Sequence, residues 1–555
     1  MKRRDFLPLL VGPLVAPWPS REVRCSDRVW DLVVYGGTAG GIVAAISAAR
    51  EGASVTVLEP TDHVGGMVTG GLGWTDIGIG ATIGGMAAEF YRRVFKHYED
   101  PAAWKFESRE QFLDSPPTRA RHISGDKWWH HEPSVASAIF QRMLQEAGVT
   151  LLTAHRLAAV EKRGPRIIAI RCANDTVFAA RVFIDATYEG DLMAMAGVSY
   201  RVGRESRDEY GEPLAGVVPV EKSTRKQWDV DISPYDERGK LMFGVQTVPR
   251  GAAGAGDRKV QAYNFRICLT DHAPNRLPID RPANYDASCY DLLARYIAAK
   301  PTITLRKGLL KIDRLPNRKT DINDGGPFST DFLGESWDYP EADGATRRRI
   351  IERHLDYTQG LLYFIGHDTR VPPPVRDETR QWGYPRDEYL STGHFSPQLY
   401  IREARRMVGA HVMSSHDIDR RKTKHDVIGL ASYGPDSHLV TRIVDERGFV
   451  RNEGNPNDFT GGHRAYEVPY RSITPRAAQC DNLLVTFCVS ASHMAFASIR
   501  MEPVFMILSE SAGVAAIEAA RSDVSVQRVS YAALRSKLLE RGQLLKVATT
   551  DPNSR

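Results

Sequence analysis

Cysteine is scarce in this 555-residue chain: six residues, at positions 25, 172, 268, 289, 480 and 488, with no C-x-x-C pair. That scatter offers no zinc or dithiol motif, and small buried hydrophobes account for it better. Charge of one sign is equally thin. Lys plus Arg number 73 against 68 Asp plus Glu, a net +5 with no basic block, so nucleic acid is not an expected partner. No internal repeats or low-complexity tracts occur, and no segment reads as a membrane span. What remains is 42% apolar and 25% charged, the make-up of a soluble globular protein long enough for two or three domains.

Glycine, by contrast, is concentrated. Asp31-Leu-Val-Val-Tyr-Gly36-Gly-Thr-Ala-Gly-Gly41 runs from an apolar strand into a glycine-rich turn and an Ala-rich helix, Ile42 to Arg50. A second apolar strand, Val55-Thr-Val-Leu-Glu59, ends in an acid followed by Pro60. Residues 42 to 58 fill the interval a βαβ dinucleotide unit needs. Gly36 permits the tight turn, Gly41 lets helix and strand pack closely, and the helix start faces a pyrophosphate alongside Gly37, Ala39 and Gly40. Glu59 is expected to accept hydrogen bonds from ribose hydroxyls. Thr38 replaces the usual middle glycine, so either its hydroxyl turns to the phosphate or the turn shifts. A second glycine-dense loop follows at once, His63-Val-Gly65-Gly66-Met67-Val-Thr-Gly-Gly-Leu-Gly73. It suits a bulky flat ring system, which favours FAD over NAD.

The first seven residues, Met1-Lys2-Arg3-Arg4-Asp5-Phe6-Leu7, precede a short apolar run to Ala16. Their order resembles a twin-arginine export signal, and a periplasmic or secreted location is expected. The expected organisation is an export signal over 1–27 and a dinucleotide domain over 28–205 and 426–522. A substrate domain of mixed α+β character is inserted at 206–425, and a C-terminal helix and tail occupy 523–555. Strands at Leu157–Val160, Ile167–Cys172 and Val177–Arg181 read as a β-meander returning to the buried strand Arg181–Asp185. In the insert, strand-like pieces are Leu241–Val248 and Lys259–Thr270; helical pieces are Asp286–Ala299, Thr346–Leu362 and Gln398–Ser415. Leu315 to Phe328 reads as an unusual polar loop. Asn482–Val489 reads as a further strand, Met501–Arg521 and Tyr531–Gly542 as helices.

Proton transfer near a flavin needs an acid or base and a cation. His493 follows a buried strand in a small-residue turn, where a strand's C-terminal end meets a ligand cleft. Arg500 follows seven residues later and suits a substrate carboxylate or an enolate-like charge, although an ion pair with Glu502 explains it slightly better. His438 shares the turn Tyr433–His438 with Asp436, as a proton relay or as a structural turn. Arg266, Arg402 and Arg405 are further candidates, but Arg402, Glu403, Arg405 and Arg406 read as one salt-bridged helix.

With those motifs in place, the chain resembles the exported FAD-dependent oxidoreductases of the glutathione-reductase-like superfamily, some labelled xanthan lyase. The blocks are Tyr35–Gly41, Gly65–Gly71, Asp185–Asp191, Tyr263–Arg266, Lys319–Asn323, Tyr400–Arg406, Ser490–His493 and Arg500–Ala516. The resemblance implies a Rossmann-like FAD domain of α/β type, split in sequence by the inserted substrate domain. It also implies flavin contacts from Asp185, Ala186 and Thr187, and from a turn Ser511-Ala512-Gly513 at a helix's positive end. Ser509 stands where the family leads one to expect glycine. The implied activity is hydride transfer from a small polar organic substrate, a sugar or sugar acid, to an electron acceptor that the sequence leaves open. A non-redox uronate lyase and a non-catalytic flavin-binding subunit are the alternatives.

Overall fold

The computed structural model describes residues 28–116, 122–223, 226–247, 251–456 and 462–547. The twin-arginine-like segment and Cys25 lie outside the described residues. Strand β1 (Val29–Tyr35) leads through the glycine turn into α1 (Ala39–Arg50) and β2 (Val55–Leu58). Leu32, Val33, Val34, Val57 and Leu58 are wholly buried because both faces of this strand pair are covered, so apolar residues run without alternation. α2 (Gly85–Glu99) and α3 (Pro133–Ala147) follow, then β3 (Thr150–Leu152) parallel to β2. A meander of β4 (Leu157–Arg163), β5 (Arg166–Cys172) and β6 (Val177–Asp185) completes the segment.

β6 is one long strand rather than the two pieces expected. Its start, Val177 to Ala179, pairs antiparallel with β5, while from Ala179 onward it pairs parallel with β1, from Val29↔Ala179 to Tyr35↔Asp185. Much later in the chain, β9 (Leu483–Val485) pairs parallel with the far end of β6, from Leu483↔Phe183 to Val485↔Asp185. The sheet is thus parallel-rich and Rossmann-like, and the C-terminal ends of β1, β6 and β9 lie side by side. Ligands of such sheets bind outside those ends.

Between the two halves, β7 (Leu310–Leu315) and β8 (Lys319–Asp324) form a hairpin, and α4 (Gly344–His367) is the longest helix of the segment. The polar stretch expected as a loop is therefore largely strand, with Asn317 and Arg318 at positive φ making its turn. Three expectations fail here. Leu241–Val248 is not a strand among its described residues, and of Lys259–Thr270 only Asn264–Phe265 is a strand, paired with Leu399–Tyr400, while Ile267 and Thr270 make isolated bridges to Ile322, Lys319 and Gly383. Gln398–Ser415 is not a helix: Leu399–Tyr400 and Arg405–Met407 are extended. Four charges bunched as an i,i+4 pattern mimic an amphipathic helix. Here each charge meets a partner from a different part of the chain, and only Arg406 and Glu403 also approach each other, at 3.2 Å.

α5 (His493–Ile499), α6 (Glu502–Ser522) and α7 (Tyr531–Glu540) close the fold. α6 is long and apolar enough to cross a membrane by length and composition, yet it is almost entirely buried against α1 and the sheet. A single apolar core joins Leu32, Ile297, Phe364 and Ala512, so the inserted segment shares its interior with the Rossmann-like part.

Candidate active site

The β1–α1 turn is built on close approach. Gly36 has φ +109°, and a Cβ there would lie 2.7 Å from the Ala186 carbonyl group. A Cβ on Gly41 would overlap the Gly36 carbonyl oxygen. Thr38 resolves its anomaly: its hydroxyl accepts from Gly41 N (3.1 Å) and donates to Ala186 O (2.8 Å). It is the helix N-cap and a tie to β6, so its side chain faces protein. Glu59 is buried beside the turn, its Oε2 accepting from Gly37 N (2.8 Å) and its Oε1 from Thr61. Burial raises its carboxyl to about 7. Pro60 follows, half-buried, at the end of the βαβ unit.

The second glycine loop is tight for a reason the sequence hides. Gly65 and Gly66 have positive φ, and Gly65 N donates to Gly37 O (2.7 Å), locking the two loops together. Side chains on Gly66, Gly70 and Gly71 would collide with Tyr188, Gln398 and the Arg266 backbone. Much of this glycine density thus serves close packing against other parts of the chain. Met67 N donates to Tyr188 Oη (2.9 Å), which donates to Glu502 Oε1 (2.6 Å). Glu502 is raised to about 7 by burial, and its Oε2 has no partner among the described residues.

Asp185 has both oxygens engaged: Oδ1 accepts from Thr187 N and Oγ1, Oδ2 from Met193 N. That bonding makes it the organiser of the strand-end turn. Ala186 and Thr187 press directly on Gly36. Ser511, Ala512 and Gly513 are not a turn at a helix's positive end. They sit in the interior of α6, where Ser511 Oγ donates to Ile428 O (2.7 Å) and Gly513 meets the Ala44 carbonyl of α1. Ser509, on the same helix, faces Gly40. Small residues here let α1 and α6 cross closely.

The three expected catalytic residues converge. His493 opens α5 behind its N-cap Ser492, and its Nδ1 lies 2.7 Å from Glu403 Oε2. Glu403 is fully buried, and burial alone would raise it; His493 and Arg406 outweigh that and hold it at about 2. Gln261 ties Glu403 (2.9 Å) to the backbone of His438 (2.9 Å). His438 Nδ1 meets Asp331 Oδ2 at 2.7 Å and its Nε2 lies 3.7 Å from Asp436 Oδ2. Burial and the nearby Arg402 lower its affinity for a proton. Arg500 does not pair with Glu502. It donates to Tyr400 Oη (2.8 Å) and to the Asp436 carbonyl oxygen (2.7 Å). Asp324, Asp331 and His438 have ligand atoms within 4.8 Å of one another, as a metal would require, but Lys226 on Asp324 and Arg402 on Asp331 bring positive charge there already.

Sequence reasoning missed Tyr400, Gln261 and Asp331 and misassigned Glu403. Arg405 turns away from the centre to Asp191, Arg406 lies between Glu205 and Glu403, and Arg266 pairs with Asp321. An enclosed cavity lies at the junction, bordered by Tyr400, Arg402, Glu403 and Arg500 on its polar wall, and by Tyr188 and Phe487. Phe487 also abuts Gly40 of the nucleotide turn.

A family profile described as FAD dependent oxidoreductase matches residues 31–538. The chain belongs to that family. FAD is its cofactor and oxidoreduction its class of chemistry. The residues fit this cofactor: the Gly36–Gly41 turn leaves its outer side bare of side-chain bulk at the start of a 12-residue helix, and Glu59 stands at the β2 end. No curated protein matches the chain. Among solved structures it is similar to CabE, an aromatic hydroxylase from angucycline biosynthesis, at 14% identity over 32% of this chain and 35% of that one (TM-score 0.24). Thioredoxin reductase of Streptococcus pyogenes matches at 20% identity over 33% and 41% (TM-score 0.17). THI4 of Thermovibrio ammonificans matches at 18% over 32% and 66% (TM-score 0.22). The chain thus spans between 35% and 66% of the length of these structures. In the oxidoreductase, Met67 of the second glycine loop bonds Tyr188, which borders the same cavity as Arg500.

Proposed function

We propose that this oxidoreductase is an exported enzyme that removes a hydride from a small polar organic compound, a sugar or sugar acid. Bound FAD supplies the hydride acceptor. The observation that carries the reading is the His493–Glu403 pair, 2.7 Å apart and buried beside the cavity. A carboxylate on Nδ1 fixes the tautomer whose Nε2 is free to take the proton of a substrate hydroxyl as its carbon gives up hydride. Glu403 stays ionised across the neutral range, so the imidazole is anchored in that orientation throughout. Arg500 stabilises negative charge on the substrate oxygen, and the surrounding aromatic residues exclude water. His438, backed by Asp331, is a second proton acceptor in the same network. The twin-arginine-like start supports export, and the two glycine loops support the glutathione-reductase-like assignment.

Anaerobic titration of the purified protein with sugars, sugar acids and hydroxy acids tests this. Bleaching of the visible flavin bands by one compound is the expected result and names the substrate. An oxidised flavin in the presence of a uronate polymer, with unsaturated product accumulating, would replace this reading with a lyase. A flavin that no reductant bleaches would make the protein a redox-silent subunit.

A further inference from the structure

The cavity beside the His493–Glu403 pair holds an excess of one kind of hydrogen-bonding group. Arg402 and Arg500 line it, 1% and 3% exposed, and Nε of each is buried without an acceptor. Tyr400, between them, accepts from Arg500 Nη1 but donates to no group among the described residues. The guanidinium carbons lie 4.7 Å (Arg402) and 5.6 Å (Arg500) from the centre of its ring, so the three donors share one small space. The one carboxylate on the wall is largely engaged: Glu403 Oε2 holds His493 and Gln261, while Oε1, 3.2 Å from Arg406 Nε, is the single wall acceptor without a hydrogen bond. Tyr188, Phe487, Phe496 and Phe505 supply the remaining aromatic lining.

Buried donors are almost always satisfied, and three in one small space against the single unbonded acceptor, Glu403 Oε1, point to what is missing. The missing partner brings more acceptors than donors. It carries negative charge, since charge-assisted bonds to guanidinium are the strong ones. A carboxylate meets both conditions; a neutral hydroxyl brings a further donor.

We propose that Arg402, Arg500 and Tyr400 form a carboxylate-binding subsite, so that the compound oxidised is a small carboxylic acid, such as a hydroxy acid or sugar acid, and not a neutral sugar. The proposal rests on the reading of this site as the hydride-transfer centre. Glu403 borders the cavity with Arg402 and holds His493, so it joins the carboxylate clamp to the base. A 2-hydroxy acid anchored by its carboxylate would present its hydroxyl toward that base.

The test uses the FAD-loaded protein and a ligand that cannot be oxidised by hydride loss. Oxalate has no C–H bond, and oxamide is its neutral counterpart of similar shape. Calorimetric titration is expected to give saturable oxalate binding at least ~10-fold tighter than oxamide, with a shift of the visible flavin bands. Tyr400→Phe deletes one donor and keeps the ring; it should weaken oxalate ~5- to 10-fold with flavin content unchanged. Arg402→Lys should weaken it further. Equal affinities for oxalate and oxamide, or no heat with either, would overturn the proposal. So would variants that lose FAD while the preference for oxalate persists, since the donors would then serve the cofactor. Tight oxalate binding in a protein that no substrate bleaches would instead leave the subsite standing and remove the hydride-transfer reading.

Discussion

In the proposed mechanism, His493 serves as a base only while Glu403 holds its Nδ1. Glu403→Gln keeps the size and removes the charge, so the imidazole loses its fixed tautomer. The rate of flavin reduction by substrate should fall ~10²–10⁴-fold, with the visible spectrum retained, as followed by anaerobic stopped-flow absorbance. A change of only a few-fold would remove His493 from the proton-transfer role. The nucleotide turn is equally sensitive to a single atom. In Gly41→Ala the new methyl overlaps the Gly36 carbonyl oxygen inside a turn that Thr38 ties at both ends. The turn must open, and the purified variant should carry no FAD and refuse added FAD, which its absorbance ratio will report.

Among the elements, the crossing of α1 and α6 decides the shape of the cofactor side. Ser47 Oγ donates to Glu510 O (3.2 Å), and Gly513 lies against Ala44 O. Replacing Gly513 by Ala gains up to about 1 kcal/mol of helix propensity. The overlap it creates costs about 1–3 kcal/mol, so the clash wins and the net effect is destabilising. Gly513→Leu should lower the melting temperature further. Because these residues pack helix on helix, both variants that fold should keep an unshifted flavin spectrum; a shifted spectrum at normal stability would place them against the cofactor instead. The Tyr400–Arg406 stretch makes the same point about extended backbone. It directs Arg402 to Asp331, Glu403 to His493, Arg405 to Asp191 and Arg406 to Glu205, four separate destinations that a helix face would not reach.

For the molecule as a whole, buried carboxyls set the response to pH. Burial raises Glu59, Glu388, Glu502 and Glu510 to about 7 from an ordinary value of 4.5. A raised folded-state value means the native state holds a proton that the unfolded chain releases. That stabilisation is complete below 4.5 and is lost as pH rises through 7, at up to about 1.4 kcal/mol per pH unit for each group. Glu403, Asp331 and Asp436 act in the opposite sense. Burial opposes their ionisation, but Glu403's partners His493 and Arg406 and the others' arginine and histidine neighbours depress all three, so their contribution is lost on acidification. The FAD-free protein should therefore melt at progressively lower temperature from pH 5 to pH 8. Glu510→Gln, which keeps a partner for Met86 N and Gln543, should flatten the slope. A melting temperature that climbs across this interval would contradict the assignment.

Local chemistry made one part of this protein legible from residue order alone. An apolar strand, a turn that only glycine can make, a helix start and an acid seventeen residues on are neighbours in the chain, so β1, α1, β2 and the FAD cradle could be read directly. His493, Arg500 and His438 were also marked, each by its place at a strand end or turn. Their meeting was not. Glu403 and His493 are 90 residues apart, Arg500 and Tyr400 are 100 apart, and Asp331 and His438 are 107 apart. Nothing in the spacing of Arg402 to Arg406 distinguishes an exposed salt-bridged helix from an extended strand threaded through a buried polar centre. Tertiary structure decided that question, because a charge removed from water must find its partner wherever the folded chain brings one, and those partners came from segments that the sequence keeps far apart.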